Sequence, residues 1–287
     1  MKVFRLKEYS VSGENSLSRC EAERLSAYLR KKKLQNVMSL TPQGIVSKSF
    51  VGVIRCGNVQ IEILPKILSA NDDRREIMEN LVYMLSYTRR LDIRTESGAR
   101  LAACKNPFLE ILIYEYASSL FDCLKKQPLR NYVTEETEVN FIKGKLMLPE
   151  QIRKSCVNRA KFYCQYDEFS ENNMLNRLFL YVAVCLYKLS ENSGNKRILR
   201  RIVNYYADVE PLPVSAAEAN RIALPRNQIL FKKPLSLAKM FVNQCSVDLS
   251  RNKIENVALV WDMNVLFEEF IGEVFKRKCP TLDIELQ

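Results

Sequence analysis

Residues 49–67 read SFVGVIRCGNVQIEILPKI, two β-rich runs separated by Gly57–Asn58. A two-residue loop of this composition closes a tight antiparallel hairpin, and a loop that short also dictates which residues face each other. Cys56 falls opposite Val59, Ile54 opposite Ile61 and Gly52 opposite Ile63, all on one face by the period of two. Arg55 meets Gln60 and Val53 meets Glu62 on the other face. The alternation predicts Ile54 and Ile61 inward. A second extended stretch, NYVTEETEVNFIKGKLML at 131–148, alternates in part and is expected to join the same small sheet.

The remainder reads as helix. With 8 glycines and 10 prolines in 287 residues, tight turns are scarce and long helices are favoured. Ser18 and Glu21 have capping-box spacing ahead of RCEAERLSAYL. In NDDRREIMENLVYML, Asn71 is an expected N-cap, and Ile77, Leu81, Met84 and Leu85 share one helical face. Asn106–Pro107 opens FLEILIYEYASSLFDCL, with proline at the first helical position. Further helical stretches are expected at 172–190, 195–207, 215–222 and 227–244. Trp261 is expected in the core.

The segment FYCQYDEFSENNMLNRLF at 162–179 sets three carboxylates beside an apolar run. KFYCQY alternates like a strand, whereas apolar residues at 175, 178, 179, 182 and 186 have helical spacing. Asp167, Glu168 and Glu171 are therefore expected at a strand-to-helix junction. Ser170 or Asp167 would cap the first turn, where carboxylates meet the positive end of the helix dipole. No histidine or D-x-K follows to complete a metal site, so these carboxylates are expected to bind no catalytic metal.

Composition narrows the chemistry. The chain has no histidine, which excludes Ser-His and Cys-His catalysis and any His-ligated metal. No P-loop is present; Gly144–Lys145 is followed by leucine. The nine cysteines are spread without a C-x-x-C pair, and MKVFRLKEYS has no apolar core. Reduced thiols in a cytoplasmic protein are the expectation. No apolar run is long enough to span a bilayer. The net charge of +11, from 44 basic against 33 acidic residues, favours a polyanionic partner, most simply nucleic acid. The densest basic segment is KRILRR at 196–201. Its Lys196, Arg197, Arg200 and Arg201 are the nucleic-acid-binding candidates, or else one solvated helix face.

Four separated segments together resemble the McrC family, which partners the AAA+ GTPase McrB in modification-dependent DNA restriction. They are GVIRCGNVQIEILPKI at 52–67, IKGKL at 142–146, YCQYDEFSENNMLNRLF at 163–179 and WDMNVLFEEFIGEVFKR at 261–277. The resemblance implies a hairpin ending in a Leu-Pro-Lys turn, a basic-Gly-basic element, a core helix, and a helix opening a PD-(D/E)XK nuclease. It places the metal-holding Asp and D/E-x-K beyond a strand like TLDIELQ. Asp283 and Glu285 flank Ile284 there without a following lysine, so the chain is expected to be cut off inside that domain.

The implied fold is α+β and helix-rich. A partner-docking region with a small β-sheet spans 1–160, a helical region 161–255, and the start of an incomplete α/β nuclease core 256–287. The implied function is binding and stimulating an McrB-type GTPase. No cofactor is expected on this chain, and Mg²⁺ only for a complete nuclease, for which Glu268 is the one catalytic candidate. Asp262 is an expected N-cap. Lys66, Lys143, Lys145, Asp167 and Asn176 are the partner-binding candidates. For each a structural alternative stands: Lys66 closes a turn, Lys143 and Lys145 flank a glycine that lets backbone approach closely, and Asn176 suits a buried polar network. A non-catalytic nucleic-acid-binding or adaptor protein is the alternative function.

Overall fold

The computed structural model describes residues 2–12, 17–41, 44–66, 74–88, 107–154, 161–248 and 253–278. The first elements are β1 (Lys2–Lys7), α1 (Arg19–Lys31), β2 (Met38–Thr41), β3 (Gly44–Ser47), β4 (Phe50–Cys56), β5 (Val59–Leu64) and α2 (Arg74–Tyr87). After α3 (Pro107–Lys126) come β6 (Asn131–Val139), β7 (Lys145–Leu146), α4 (Leu148–Lys154) and β8 (Phe162–Ser170). Helices α5 (Met174–Leu189), α6 (Ser193–Tyr205) and α7 (Ala216–Arg221) follow, then a 3-10 turn at Arg226–Phe231 and α8 (Lys232–Gln244). β9 (Cys245–Asp248), β10 (Lys253–Asp262) and α9 (Met263–Lys278) complete the α+β, helix-rich fold.

The hairpin β4–β5 has the register its turn predicts: Cys56 with Val59, Ile54 with Ile61, Gly52 with Ile63. It lies inside a five-stranded sheet of order β1-β5-β4-β10-β9, with β1 parallel to β5 and the other pairs antiparallel. Ile54, Ile61 and Ile63 pack against Leu25, Tyr28 and Leu29 of α1, whose Ser18–Glu21 capping box forms as expected.

The opposite face is buried as well. Gln60 and Glu62 are buried there, while Val51, Val53, Val257, Leu259 and Trp261 join the main helical core. Helices supplied by distant sequence cover this face, a fact the local pattern cannot carry. Glu62 lies 3.6 Å from the Arg5 guanidinium, which faces it from the neighbouring strand.

Two expected domain limits fall inside sheets. The expected start of the nuclease core at 256 lies within β10, which pairs with β4 from Asn256↔Cys56 to Asp262↔Phe50. The limit at 160 separates β6 from β8, which pair along their whole length. The stretch 131–148 likewise does not join the first sheet. It forms a second one of order β6-β8-β7.

The core is built on α3 and α5. Ile77, Leu81, Met84 and Leu85 of α2 are buried on one face as predicted; the expected caps Asn71 and Asn106 lie outside the described residues. Trp261 is in the core, edge-to-face with Phe108 at 5.3 Å. Tyr116 donates to the carbonyl of Phe179 at 2.8 Å, and burial pushes its hydroxyl pKa well above the usual value. Buried Glu115 of α3 pairs with Lys233 of α8 at 3.1 Å.

The cysteines follow the same division. Cys20 is exposed, whereas Cys123, Cys164 and Cys185 are buried, all as free thiols. Burial pushes the Cys185 thiol up to about 12. Brief iodoacetamide treatment of the native chain at pH 8 is therefore expected to label Cys20 and spare those three, read by peptide mass spectrometry. Equal labelling of Cys185 and Cys20 would contradict this packing.

Candidate functional site

Leu129 and Arg130 lead from α3 into β6, which runs out antiparallel to β8 and returns to α5. Registry extends from Asn131↔Ser170 at the base to Val139↔Phe162 at the far end. The result is a three-stranded arm that packs chiefly on itself and on α4. Its surface is unusually apolar for exposed strands. Tyr132 is 75% exposed and Phe169 55%, and the two rings face each other across the strands at 5.1 Å. Phe141, Ile142, Leu148 and Ile152 are exposed toward the far end. Single exposed apolar residues need no explanation, but a concentration of this kind on one element marks an interaction surface.

Three partner-binding candidates lie on this arm. Lys143 sits over the Tyr166 ring at 3.8 Å, and Lys145 pairs with Gln165 in the β7–β8 ladder. Between them Gly144 adopts φ +71°; a Cβ there would overlap the Gln165 carbonyl and lie 2.8 Å from Tyr166 Cβ. Glycine thus lets the loop fold onto β8 and holds both lysines on its surface. Asp167 is exposed and accepts from the Thr134 hydroxyl at 2.7 Å. Lys66 is exposed elsewhere, at the end of β5, where its backbone N–H donates to Glu8 at 2.8 Å.

The acidic stretch is strand, not helix start. β8 continues through Ser170, so Asp167 and Glu168 belong to the arm, and neither Ser170 nor Asp167 caps the helix. Asn173 does, accepting from the Asn176 N–H at 3.1 Å. Cross-strand pairing with β6 keeps the chain extended for longer than the helical spacing suggests. Asn176, proposed as a partner contact, is fully buried. Its amide donates to the carbonyls of Leu129 at 2.7 Å and Glu171 at 2.8 Å, tying both strands of the arm to the first turn of α5. Arg130 clamps the same base through two bonds to Glu171 Oε1, each 2.9 Å. Asn176 therefore has an internal role that positions the arm.

A cleft of about 630 Å³ opens between the arm base and α7, lined by Tyr132, Thr134, Asn173, Arg177, Glu218 and Arg221 among others. Sequence reasoning missed it because its walls are brought together from three separated segments. Arg177 braces it, donating to Asn172 and Glu210.

The remaining candidates are scattered. Lys196, Arg197, Arg200 and Arg201 lie on α6. Glu268 is exposed on α9, and Asp262 accepts from the Asn264 N–H at 3.0 Å at the start of that helix. Among the described residues, no three His, Cys, Asp or Glu side chains gather as a metal site.

A family model described as "McrBC 5-methylcytosine restriction system component" matches residues 45–287. No curated protein matches. In the cryo-EM structure of the Thermococcus gammatolerans McrBC complex, a chain 22% identical superposes with a TM-score of 0.75, covering 99% of this chain and 89% of that one. A refined half-complex from a tetradecameric assembly of Thermococcus gammatolerans McrB AAA+ hexamers with bound McrC gives 23% identity and a TM-score of 0.74, covering 97% and 71%. At these identities the likeness is one of fold.

Proposed function

This chain belongs to the McrBC 5-methylcytosine restriction system component family, and from that premise we propose that it is the McrC-type subunit, which binds an McrB-type AAA+ GTPase assembly and stimulates its GTP hydrolysis. The arm β6–β8–β7 carries this reading. It is rigidly held at its base by Asn176 and Arg130, it is tethered to little else, and it presents aromatic residues beside Lys143, Lys145 and Asp167. Aromatic anchors with charges of both signs around them are the usual composition of a protein-binding surface. Lys66 would extend the contact from the body. We place the subunit in the cytoplasm, where its free thiols are stable; among the described residues no helix is long and apolar enough to cross a membrane.

The test mixes the purified chain with an McrB-type GTPase and follows phosphate release. Stimulation by the chain is expected, falling at least tenfold in Lys143→Glu/Lys145→Glu/Asp167→Lys with an unchanged melting curve. Full stimulation by that variant would remove the arm from the interface. No stimulation by the unaltered chain would sink the reading and favour the adaptor alternative. Mg²⁺ is the cofactor we expect for the nuclease activity of the family. The sequence holds no histidine and no D/E-x-K run, so this chain alone is expected to leave plasmid DNA intact in Mg²⁺ buffer.

A further inference from the structure

Helix α6 carries Lys196, Arg197, Arg200 and Arg201 and not one carboxylate over its thirteen residues. Asn195, Leu199 and Ile202 face the core, which turns Arg197, Arg200 and Arg201 outward together. Helical rise spaces Arg197 and Arg201 by about 6 Å along the axis. Two neighbouring helices widen the surface. The Arg201 guanidinium lies 5.9 Å from the Phe121 ring of α3, and Lys125 lies 4.3 Å from the same ring, so one aromatic side chain holds a cation from each helix. On the other side Lys196 lies 6.0 Å from Tyr187 of α5. Lys126 is exposed at the C-terminal end of α3.

Two of the nearby acids are already engaged, and Glu191 and Asp208 are exposed just beyond the two ends of the helix. Asp122 pairs with Lys125 at 3.7 Å, and Glu171 is held by Arg130. Lys126, Arg197, Arg200 and Arg201 have no carboxylate within 4 Å among the described residues. Four uncompensated cations on one surface repel each other, and a polyanion relieves that repulsion.

We propose that α6 and the last turn of α3 form a track for the phosphate backbone of duplex DNA, separate from the arm. The cations are arginine forks and a lysine on rigid helices, suited to phosphate oxygens. The Phe121 ring is half-buried and shared by Arg201 and Lys125 rather than free for base stacking, which favours backbone contact over single-strand capture. Binding is sequence-independent and releases counterions.

The experiment is a fluorescence-anisotropy titration of the whole chain against a labelled unmodified 30-base-pair duplex at a series of KCl concentrations. With four phosphate contacts, log K against log[KCl] is expected to have a slope near −4. Arg197→Glu/Arg200→Glu/Arg201→Glu should bring the slope to about −1 and weaken binding more than tenfold at roughly 100 mM salt. The control Arg24→Glu/Arg30→Glu/Lys31→Glu on α1 makes the same change in net charge and should alter binding less than threefold. Arg197→Ala/Arg201→Ala is the milder pair should the charge reversals disturb folding; its slope should fall by about 2. Equal losses in the α6 and α1 variants, or no loss in either α6 variant, would overturn the track. A single-stranded RNA of the same length competing tenfold better than duplex would overturn the duplex assignment. GTPase stimulation by the α6 variants should equal that of the parent, so failure of the track and failure of arm docking remain distinguishable.

Discussion

Glu110→Ala is expected to destabilise the fold by about 2–4 kcal/mol, the cost of removing a buried carboxylate that accepts several hydrogen bonds. The Glu110 carboxylate is buried on α3 and accepts from the Ser190 hydroxyl at 2.7 Å, the Glu191 N–H at 2.6 Å, the Asn192 N–H at 3.2 Å and the Asn195 amide at 2.6 Å. These donors form the turn between α5 and α6 and the first turn of α6. The negative charge therefore lies at the positive end of α6, where the helix dipole adds to the hydrogen bonds. Alanine removes the acceptor of the Glu191 N–H and of the Ser190 hydroxyl, while the Asn192 N–H keeps Ser190 Oγ at 3.2 Å and the Asn195 amide keeps the Glu110 carbonyl at 2.9 Å. For a chain of this size the melting temperature should fall by roughly 4–16 °C. Glu110→Gln retains one acceptor but turns an amide toward donors, so its loss should be intermediate. A fall below 2 °C for the alanine variant would show that water replaces the carboxylate without penalty.

The second large effect is expected at Gly52, in the middle of β4. It adopts φ +138°, and a Cβ there would overlap the Leu259 carbonyl oxygen, with Leu259 C and Val260 Cα each at 2.9 Å. None of these atoms belongs to a flexible side chain; all are backbone of β10. Gly52→Ala must both strain its own backbone and push β10 away from β4. A loss of about 3 kcal/mol or more follows, and Gly52→Val is expected to yield insoluble chain. Hydrogen exchange should show the damage concentrated in β10 and β4, with the arm unaffected. Uniform protection in Gly52→Ala would contradict the close approach of the two strands.

Gly52 also shows where sequence reasoning stops. Its place opposite Ile63 was legible, because a two-residue turn fixes near neighbours. Its contact with Leu259 was not, because nothing local says which distant strand lies on the other side. The same division runs through the molecule. Capping at Ser18 and the apolar face of α2 follow from spacing alone. Burial of Gln60 and Glu62, the clamp from Arg130 to Glu171 and the cleft beneath the arm depend on segments that meet only after folding. Asn173, rather than Ser170, caps α5 because strand pairing competes with helix initiation and prevails through residue 170. The lysines around Gly144 could be singled out from sequence, but their attachment to Tyr166 needed the registry of β7 on β8.

The pairing of β10 with β4 has a consequence in time as well as in space. β4 and β10 are separated by about 200 residues, and joining them closes a loop of that length, a slow and entropically costly step. A ribosome delivers residues at roughly 5–20 per second. The hairpin can thus form early and then wait on the order of 10–40 s with β4 as a bare edge. During that interval the nascent chain offers an unpaired hydrophobic strand to any other extended segment nearby. Gly52, with no side chain, leaves that edge flat and accessible until β10 emerges and covers it.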